Sequence, residues 1–351
     1  MSMLPLHSHG PRQCLLSSSS RGSVWRQALQ RQPLHRQHWP NRQASKWPVA
    51  AGVQYLTGVR DIPSKYKGVL LDQFGVLHDG KVAYPGAVEA VQHMADQGLK
   101  LFILSNSSRR SEGALGKIRK LGFNPDCFVG VMTSGEIAHR RIGSAEGPFW
   151  SKLGKKCLHF TWRTRGVVPI APLDLEIVDR PEDADFAFAH GTEAMGRGDA
   201  NDPVDASIEE MNGLLQRCAD KGGVPLVIAN PDVVTVSGKG LVPMPGTLAR
   251  TYAAMGGQVQ LTGKPDAIVY EEAMKMLDLP PDEVLGVGDS IEHDIQGANS
   301  AGVDSIFIVG GIHGDELKDV DLKQLQDAQI FKDLCDEHHA CPTYVMPSLQ
   351  L

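Results

Sequence analysis

GVLLDQFGVLHDG, residues 68–80, is a short apolar run that ends on one carboxylate, Asp72, and then meets a glycine turn. The pattern predicts a strand with an acid at its carboxyl end. The position two residues beyond that acid is Phe74.

Outward from this stretch, apolar runs alternate with amphipathic ones. GAVEAVQHMADQG places Val88, Val91, Met94 and Ala95 at helical spacing and predicts a helix capped near Gly98. LKLFILSN is a second strand, RSEGALGKIRKLG a helix stopped at Gly122, and TSGE (133–136) a capping box opening another helix. From about 137 to 255 the character changes. KCLHFTW, LEIVD and DFAFAHG predict strands, GRGDANDPVD a Gly/Asp-rich loop, Ser207 with Glu210 a capping box, and VPLVIANPD a further strand. QVQLTGKPD, EVLGVGDS and DSIFIVGG then restore the strand–helix alternation, which argues for a parallel sheet covered by helices on both faces.

The expected fold class is therefore α/β, a doubly wound parallel sheet with an inserted α/β domain. The expected divisions are a leader at 1–60, a core at 61–136 and 256–325, the insert at 137–255 and a C-terminal tail at 326–351.

Four strand ends in the outer frame carry polar groups: Asp72, Ser105, Lys264 and Asp289. Sites in open parallel sheets lie at the carboxyl ends of strands, so the four are expected to converge. Singly, each has an ordinary structural use, as a turn residue or a helix cap. Together they form a chemical set. A carboxylate can attack phosphorus, but its charge repels a phosphate dianion, and a divalent cation between the two removes that repulsion. Mg²⁺ takes oxygen ligands from one or two carboxylates plus phosphate. Asp72 and Asp289 could supply those carboxylates, with Asp294 in support. Lys264 would neutralise the transferred phosphoryl group and Ser105 would donate a hydrogen bond to it.

The charge distribution sharpens this reading. The 351 residues are 42% hydrophobic and 22% charged, with a net charge of −6. Residues 1–60 hold seven Arg and one Lys and no acid, which leaves 27 basic against 41 acidic residues beyond them. So acidic a body argues against nucleic acid as a partner. No apolar run approaches the ~18–20 residues of a membrane span, so no membrane partner is expected. The Arg- and Ser-rich leader has the composition of an organelle transit peptide, for chloroplast or mitochondrion; a disordered tail has the same composition. Six scattered cysteines indicate neither a disulfide framework nor a zinc motif, and CDEHHAC (335–341) reads as a solvated terminal segment.

LLDQFGVL, ILSNSS, TGKP and GVGDSIEHD, in that order, resemble the four motifs of the haloacid dehalogenase superfamily. The likeness is to the class IIA group, which is similar to N-acetylglucosamine-phosphate phosphatases. It covers residues 66–315 and implies a Rossmann-like core with a large α/β cap. It implies Asp72 as nucleophile, Ser105 and Lys264 as catalytic partners, and Mg²⁺ as cofactor, held by Asp72, the Phe74 carbonyl, Asp289 and Asp294. Asn106, together with Asn230 and Asp232 of the ANPD loop, is implied on the substrate side. The substrate implied is a small phosphorylated metabolite, and the cap is a surface through which copies could form a homo-oligomer.

Phe74 stands where most phosphatases of this family have an aspartate that protonates the leaving oxygen and later activates water. A positioned acid or base contributes roughly 10²–10⁴-fold. Three readings stay open. The substrate carries a good leaving group, as an acyl phosphate does, or is a phosphonate cleaved by other means; or His78, Asp79, His190 or Glu193 replaces the acid; or the fold binds a ligand without turnover.

Overall fold

The structure, a computed structural model, describes residues 52–351 except 165–169, 198, 238 and 239. In chain order it comprises β1 (Gln54–Tyr55), β2 (Gly68–Leu71), α1 (Ala87–Asp96), β3 (Lys100–Ser105), α2 (Ser111–Lys120), β4 (Phe128–Thr133) and α3 (Ser134–Ser144). Next come β5 (Lys156–Thr161), β6 (Glu176–Ile177), β7 (Phe186–Ala189), β8 (Ala194–Arg197), β9 (Asp199–Asp205), α4 (Ile208–Lys221) and β10 (Leu226–Ile228). β11 (Val234–Ser237), β12 (Gly240–Pro243), α5 (Pro245–Ala254), β13 (Val259–Leu261), α6 (Ala267–Leu277) and β14 (Val284–Gly288) follow. The chain closes with a π-helical turn (Ile291–Ile295), α7 (Gln296–Ser300), β15 (Asp304–Ile308), α8 (Gly314–Leu317), α9 (Gln329–Glu337) and β16 (Tyr344–Met346).

Strands in the order β1-β16-β15-β14-β2-β3-β4 form one sheet, and every neighbouring pair is parallel. Its central strands are apolar throughout because both faces are covered. Val69 and Leu71 join Leu101, Ile103 and the α1 residues Ala90, Val91 and Met94 on one face. Leu70, Phe102 and Leu104 meet Val269, Tyr270 and Ala273 of α6 on the other. From β2 the chain winds outward through β3 and β4, and the returning β14 pairs with the free side of β2. The switch point therefore lies between β2 and β14, where ligands bind in such sheets.

The second sheet, β13-β10-β7-β5-β8-β9 with β6 against β5, is inserted between α3 and α6. One of its faces packs on Met211 and Leu215 of α4 and Leu248 and Tyr252 of α5; the other packs on Ala138 of α3 and on Trp150. A two-stranded hairpin, β11 with β12, follows the Asn230–Asp232 loop.

Four expectations need correction. β13 pairs with β10, so the insert extends past residue 255 to about 261; the apolar triplet Val259–Leu261 marks a strand but cannot say which sheet it joins. Residues 326–351 are no tail, because α9 buries Phe331 and Cys335 and β16 joins the core sheet beside β15. The folded body begins before residue 60, since β1 pairs with β16; residues 1–51 of the expected leader lie outside the described residues. The stretch expected as a Gly/Asp-rich loop holds β9, antiparallel to β8. Pro203 is tolerated there because β9 is an edge strand.

The helix punctuation otherwise follows the sequence. Gly98 and Gly122 adopt φ of 81° and 95° after their helices, and Ser207 and Glu210 close a reciprocal capping box. TSGE closes only half of one. Thr133 Oγ1 accepts from the Glu136 N–H at 3.0 Å, but the Glu136 carboxylate turns to Arg110 at 2.6 Å and Arg140 at 3.0 Å.

Candidate active site

The two strands flanking the switch point each end in an acid. The Asp72 N–H donates to the Val287 carbonyl at 2.9 Å, carrying the β2–β14 ladder one residue past β2. Asp289 follows β14 directly. The π-helical turn then brings Asp294 back, where the Ser290 N–H donates to its Oδ2 at 3.1 Å and Tyr270 Oη donates to its backbone carbonyl at 2.9 Å. One carboxylate oxygen from each of Asp72, Asp289 and Asp294 lies within 4.8 Å of the others.

Lys264 enters this group from elsewhere. It lies three residues beyond β13, where the chain leaves the inserted sheet for α6. Its Nζ donates to Asp72 Oδ1 and to Asp294 Oδ1, each at 2.6 Å, and its side chain is only 4% exposed. Burial disfavours the ammonium, but Asp294 and Asp72 outweigh it and hold the group above its ordinary range.

Close approach is secured by glycines. Gly75 adopts φ of 87°, and any side chain at Gly75 or Gly311 would run into the Asp289 carboxylate. The loop after β15 adds a backbone donor, with the Ile312 N–H 2.7 Å from Asp289 Oδ2.

The electrostatics leave the cluster short of positive charge. Burial pushes Asp72 up to about 7 against the pull of Lys264, with Asp294 adding to the rise. Asp289 is raised well above the carboxylate range by burial and then by Asp72 and Asp294. One ammonium faces three buried acids. A donor set of hard carboxylate oxygens with a charge deficit fits a small divalent cation such as Mg²⁺.

Asn106 ties the insert to the core. Its Nδ2 donates to Asp232 Oδ1 at 2.8 Å and to the Lys264 carbonyl at 3.2 Å, while its Oδ1 accepts from the Lys264 N–H at 2.7 Å. Asn230, 3% exposed, accepts the Asp232 N–H at 3.0 Å and so shapes the loop. Ser105 closes β3, next to β2, and its Oγ accepts the Ser107 N–H at 3.3 Å. The structure thus brings together Asp72, Lys264, Asp289 and Asp294, with Asn106 and Asp232 joined to them through Lys264.

The replacements considered for the missing acid are engaged otherwise. Phe74 is 38% exposed, its ring edge-on to His78. His78 accepts the Gly80 N–H at 3.0 Å, and burial, with Lys117 adding, lowers it to about 4. Asp79 accepts the Lys81 and Val82 N–H groups as a turn residue. Glu193 accepts from the backbone N–H groups of Arg163 and Thr164. His190 is fully buried 2.9 Å from His159. The sequence reading missed His293, whose Nδ1 lies 3.7 Å from Asp232 Oδ1; its position just before Asp294 in SIEHD was the available signal. It also missed the Ile312 N–H and Tyr270 Oη, which leave no motif.

Three family models match the chain, all haloacid dehalogenase-like hydrolases: one over residues 69–163, one over 197–302 and one over 261–349. Together they carry Asp72, Lys264, Asp289 and Asp294. The chain belongs to the haloacid dehalogenase-like hydrolases. An α/β sheet is inserted between the second and third motifs. Among curated relatives, an acid sugar phosphatase of Staphylococcus aureus (strain USA300) is 24% identical over 272 residues, 77% of this chain and 96% of that protein. The 5′-nucleotidase YutF of Bacillus subtilis (strain 168) is 25% identical over 253 residues, 70% of this chain and 88% of its own. A solved haloacid dehalogenase-like hydrolase from Brucella suis 1330 superposes with a TM-score of 0.65 at 25% identity, covering 84% of this chain and 99% of that one.

Proposed function

We propose that this hydrolase is a phosphatase acting on a small phosphorylated metabolite with a good leaving group. The observation that carries the reading is the Lys264 ammonium held 2.6 Å from both Asp72 and Asp294, with Asp289 closing the cluster. Two of the relatives, a sugar phosphatase and a nucleotidase, support phosphate-ester chemistry.

Asp72 attacks phosphorus through its carboxylate, the bond to the leaving oxygen breaks, and a phosphoaspartate forms; water then returns the carboxylate and releases phosphate. Lys264 pulls the Asp72 pKa down against burial and faces the charge of the transferred group. Ser105 offers a hydroxyl at the adjoining strand end. Asn106 holds the Lys264 backbone and, through Asp232, fixes the insert over the strand ends. Mg²⁺, held by Asp72, Asp289, Asp294 and the Phe74 carbonyl, would supply the charge neutralisation that lets an anionic nucleophile meet a phosphate dianion.

Phe74 has no proton to give the leaving oxygen. His78 is neutral near pH 7, and Asp79, His190 and Glu193 are spent on structure. Acyl and aryl phosphates, whose leaving groups depart unprotonated, are therefore the favoured substrates. The same Phe74 favours a second reading, a fold that binds phosphorylated ligands without turnover.

Assay of the protein against acyl, aryl and alkyl phosphates, with Mg²⁺ or with chelator, separates the two. Mg²⁺-dependent release of phosphate, lost in Asp72→Asn, supports the enzyme. Stabilisation by a ligand without turnover of any phosphate overturns it.

The acid-free leader supports a site of action in chloroplast or mitochondrion. Residues 1–60 fused to a fluorescent protein should carry it into one of those organelles; a cytosolic signal contradicts this. The acidic body supports a partner set without nucleic acid, and no described helix is long and apolar enough to cross a membrane.

A further inference from the structure

Cys335 and Cys341 come together at the end of α9. Cys335 occupies the last turns of that helix, 9% exposed, among Phe307, Phe331 and Val345. After Glu337 the chain reverses through His339, which takes the left-handed conformation at φ of 50°, and the Ala340 N–H returns to the Cys335 carbonyl at 3.0 Å. The reversal brings Cys341 back over the helix end. Its N–H is fixed by Asn299 Oδ1 at 3.2 Å, and Cys335 Sγ–H donates to its sulfur across 3.2 Å.

That separation is about 1 Å longer than the ~2.05 Å of a disulfide. The remaining described cysteines, Cys127, Cys157 and Cys218, are buried in other clusters. The two sulfurs are also unequal. Cys341 is the more exposed, and the hydrogen bond from Cys335 favours its thiolate.

We propose that Cys335 and Cys341 form a reversible dithiol–disulfide site that locks the C-terminal segment. The oxidant is a small-molecule disulfide of the glutathione class. The Cys341 thiolate attacks one of its sulfurs, giving a mixed disulfide and releasing one thiolate. Cys335 then loses its proton to water and attacks Cys341 Sγ; the protein disulfide forms and the second thiolate leaves. Two protein thiols are oxidised and one external disulfide is reduced to two thiols. A dithiol reductant reverses both steps.

The bond joins the end of α9 to the segment entering β16. β16 lies on β15, and the Val309 and Gly310 N–H groups donate to the Met346 and Pro347 carbonyls at 3.0 and 2.9 Å. Closure therefore ties down β16, between β1 and β15 in the core sheet, and β15 leads into the loop that supplies the Ile312 N–H to Asp289.

The test equilibrates the full chain in buffers of rising oxidised-to-reduced glutathione ratio, then alkylates free thiols and maps peptides by mass. The peptide spanning 335–341 should lose two hydrogens, both sulfurs should lose alkylation together, and dithiothreitol should restore them. Oxidised wild type should melt at a higher temperature than reduced, and Cys335→Ser and Cys341→Ser should each abolish both the cross-link and that rise. Two sulfurs that stay alkylatable in excess oxidised glutathione overturn the proposal. So does pairing of either with another cysteine, or a cross-link that leaves the melting temperature unchanged.

Discussion

Lys264 Nζ lies 2.6 Å from Asp72 Oδ1 although the two residues follow strands of different sheets, β13 and β2. The lysine is delivered to the core from the insert, so the site is complete only when the two sheets are docked. Lys264→Ala leaves Asp72 and Asp294 buried without their cation. Phosphatase turnover should fall about 10²–10³-fold. Thermal or denaturant unfolding should show a loss of roughly 3–5 kcal/mol, the usual cost of breaking a buried pair. Retained turnover would remove Lys264 from the site.

Mg²⁺ should raise the melting temperature of the wild type, because a ligand bound only by the folded state stabilises it, by about 2.7 kcal/mol at a hundred times its Kd. Asp289→Asn should abolish that rise together with Mg²⁺-dependent activity. An unchanged Mg²⁺ response in the variant would place the metal elsewhere.

Gly75→Ala puts a methyl group against the Asp289 carboxylate at a backbone φ of 87°. The backbone conformation alone costs about 1 kcal/mol, and the collision displaces Asp289. Activity should drop at least about 10-fold and Mg²⁺ titration should shift to higher concentration, as read by thermal melts. A wild-type titration curve would show that Asp289 is not constrained by this turn.

Glu136 opens α3, the helix that leads into the insert. Burial alone would raise its pKa, but Arg110, Arg140 and the Ser111 N–H lower it to about 2. A carboxylate with a depressed pKa stabilises the fold above its unfolded value near 4.5, and the contribution is lost as pH falls toward 2. The stability difference between wild type and Glu136→Gln should therefore be full above pH 4.5, at about 2 kcal/mol after allowing for the exposure of both arginines, and should vanish near pH 2. A difference independent of pH between 2 and 6 contradicts the ion pairing.

Asp72, Lys264, Asp289 and Asp294 were legible in the sequence because each closes or follows an apolar run, and strand ends converge at a switch point. The alternation of β2, β3 and β14 with helices likewise revealed the parallel core. Other features left no local trace. Val259–Leu261 has the same apolar pattern whichever sheet it joins, so the border of the insert was misplaced. β16 has only three residues after a polar stretch, HHACPT, and its strand character comes from its neighbours β15 and β1. The Ile312 N–H is a backbone group, and no side-chain motif reports it. Glu136 fitted a capping box by spacing, but two largely exposed arginines, Arg110 and Arg140, offered its buried carboxylate charged partners stronger than a backbone N–H.

If Asp72 works as a nucleophile without a general acid, a Brønsted series exposes it. Rates of aryl, acyl and alkyl phosphate hydrolysis are measured against leaving-group pKa for wild type and Phe74→Asp. Wild type should show a steep dependence, with aryl and acyl phosphates far ahead of alkyl esters. Phe74→Asp should flatten the series by raising alkyl hydrolysis about 10-fold or more. Efficient alkyl hydrolysis by wild type, unaffected by Phe74→Asp, would contradict this expectation.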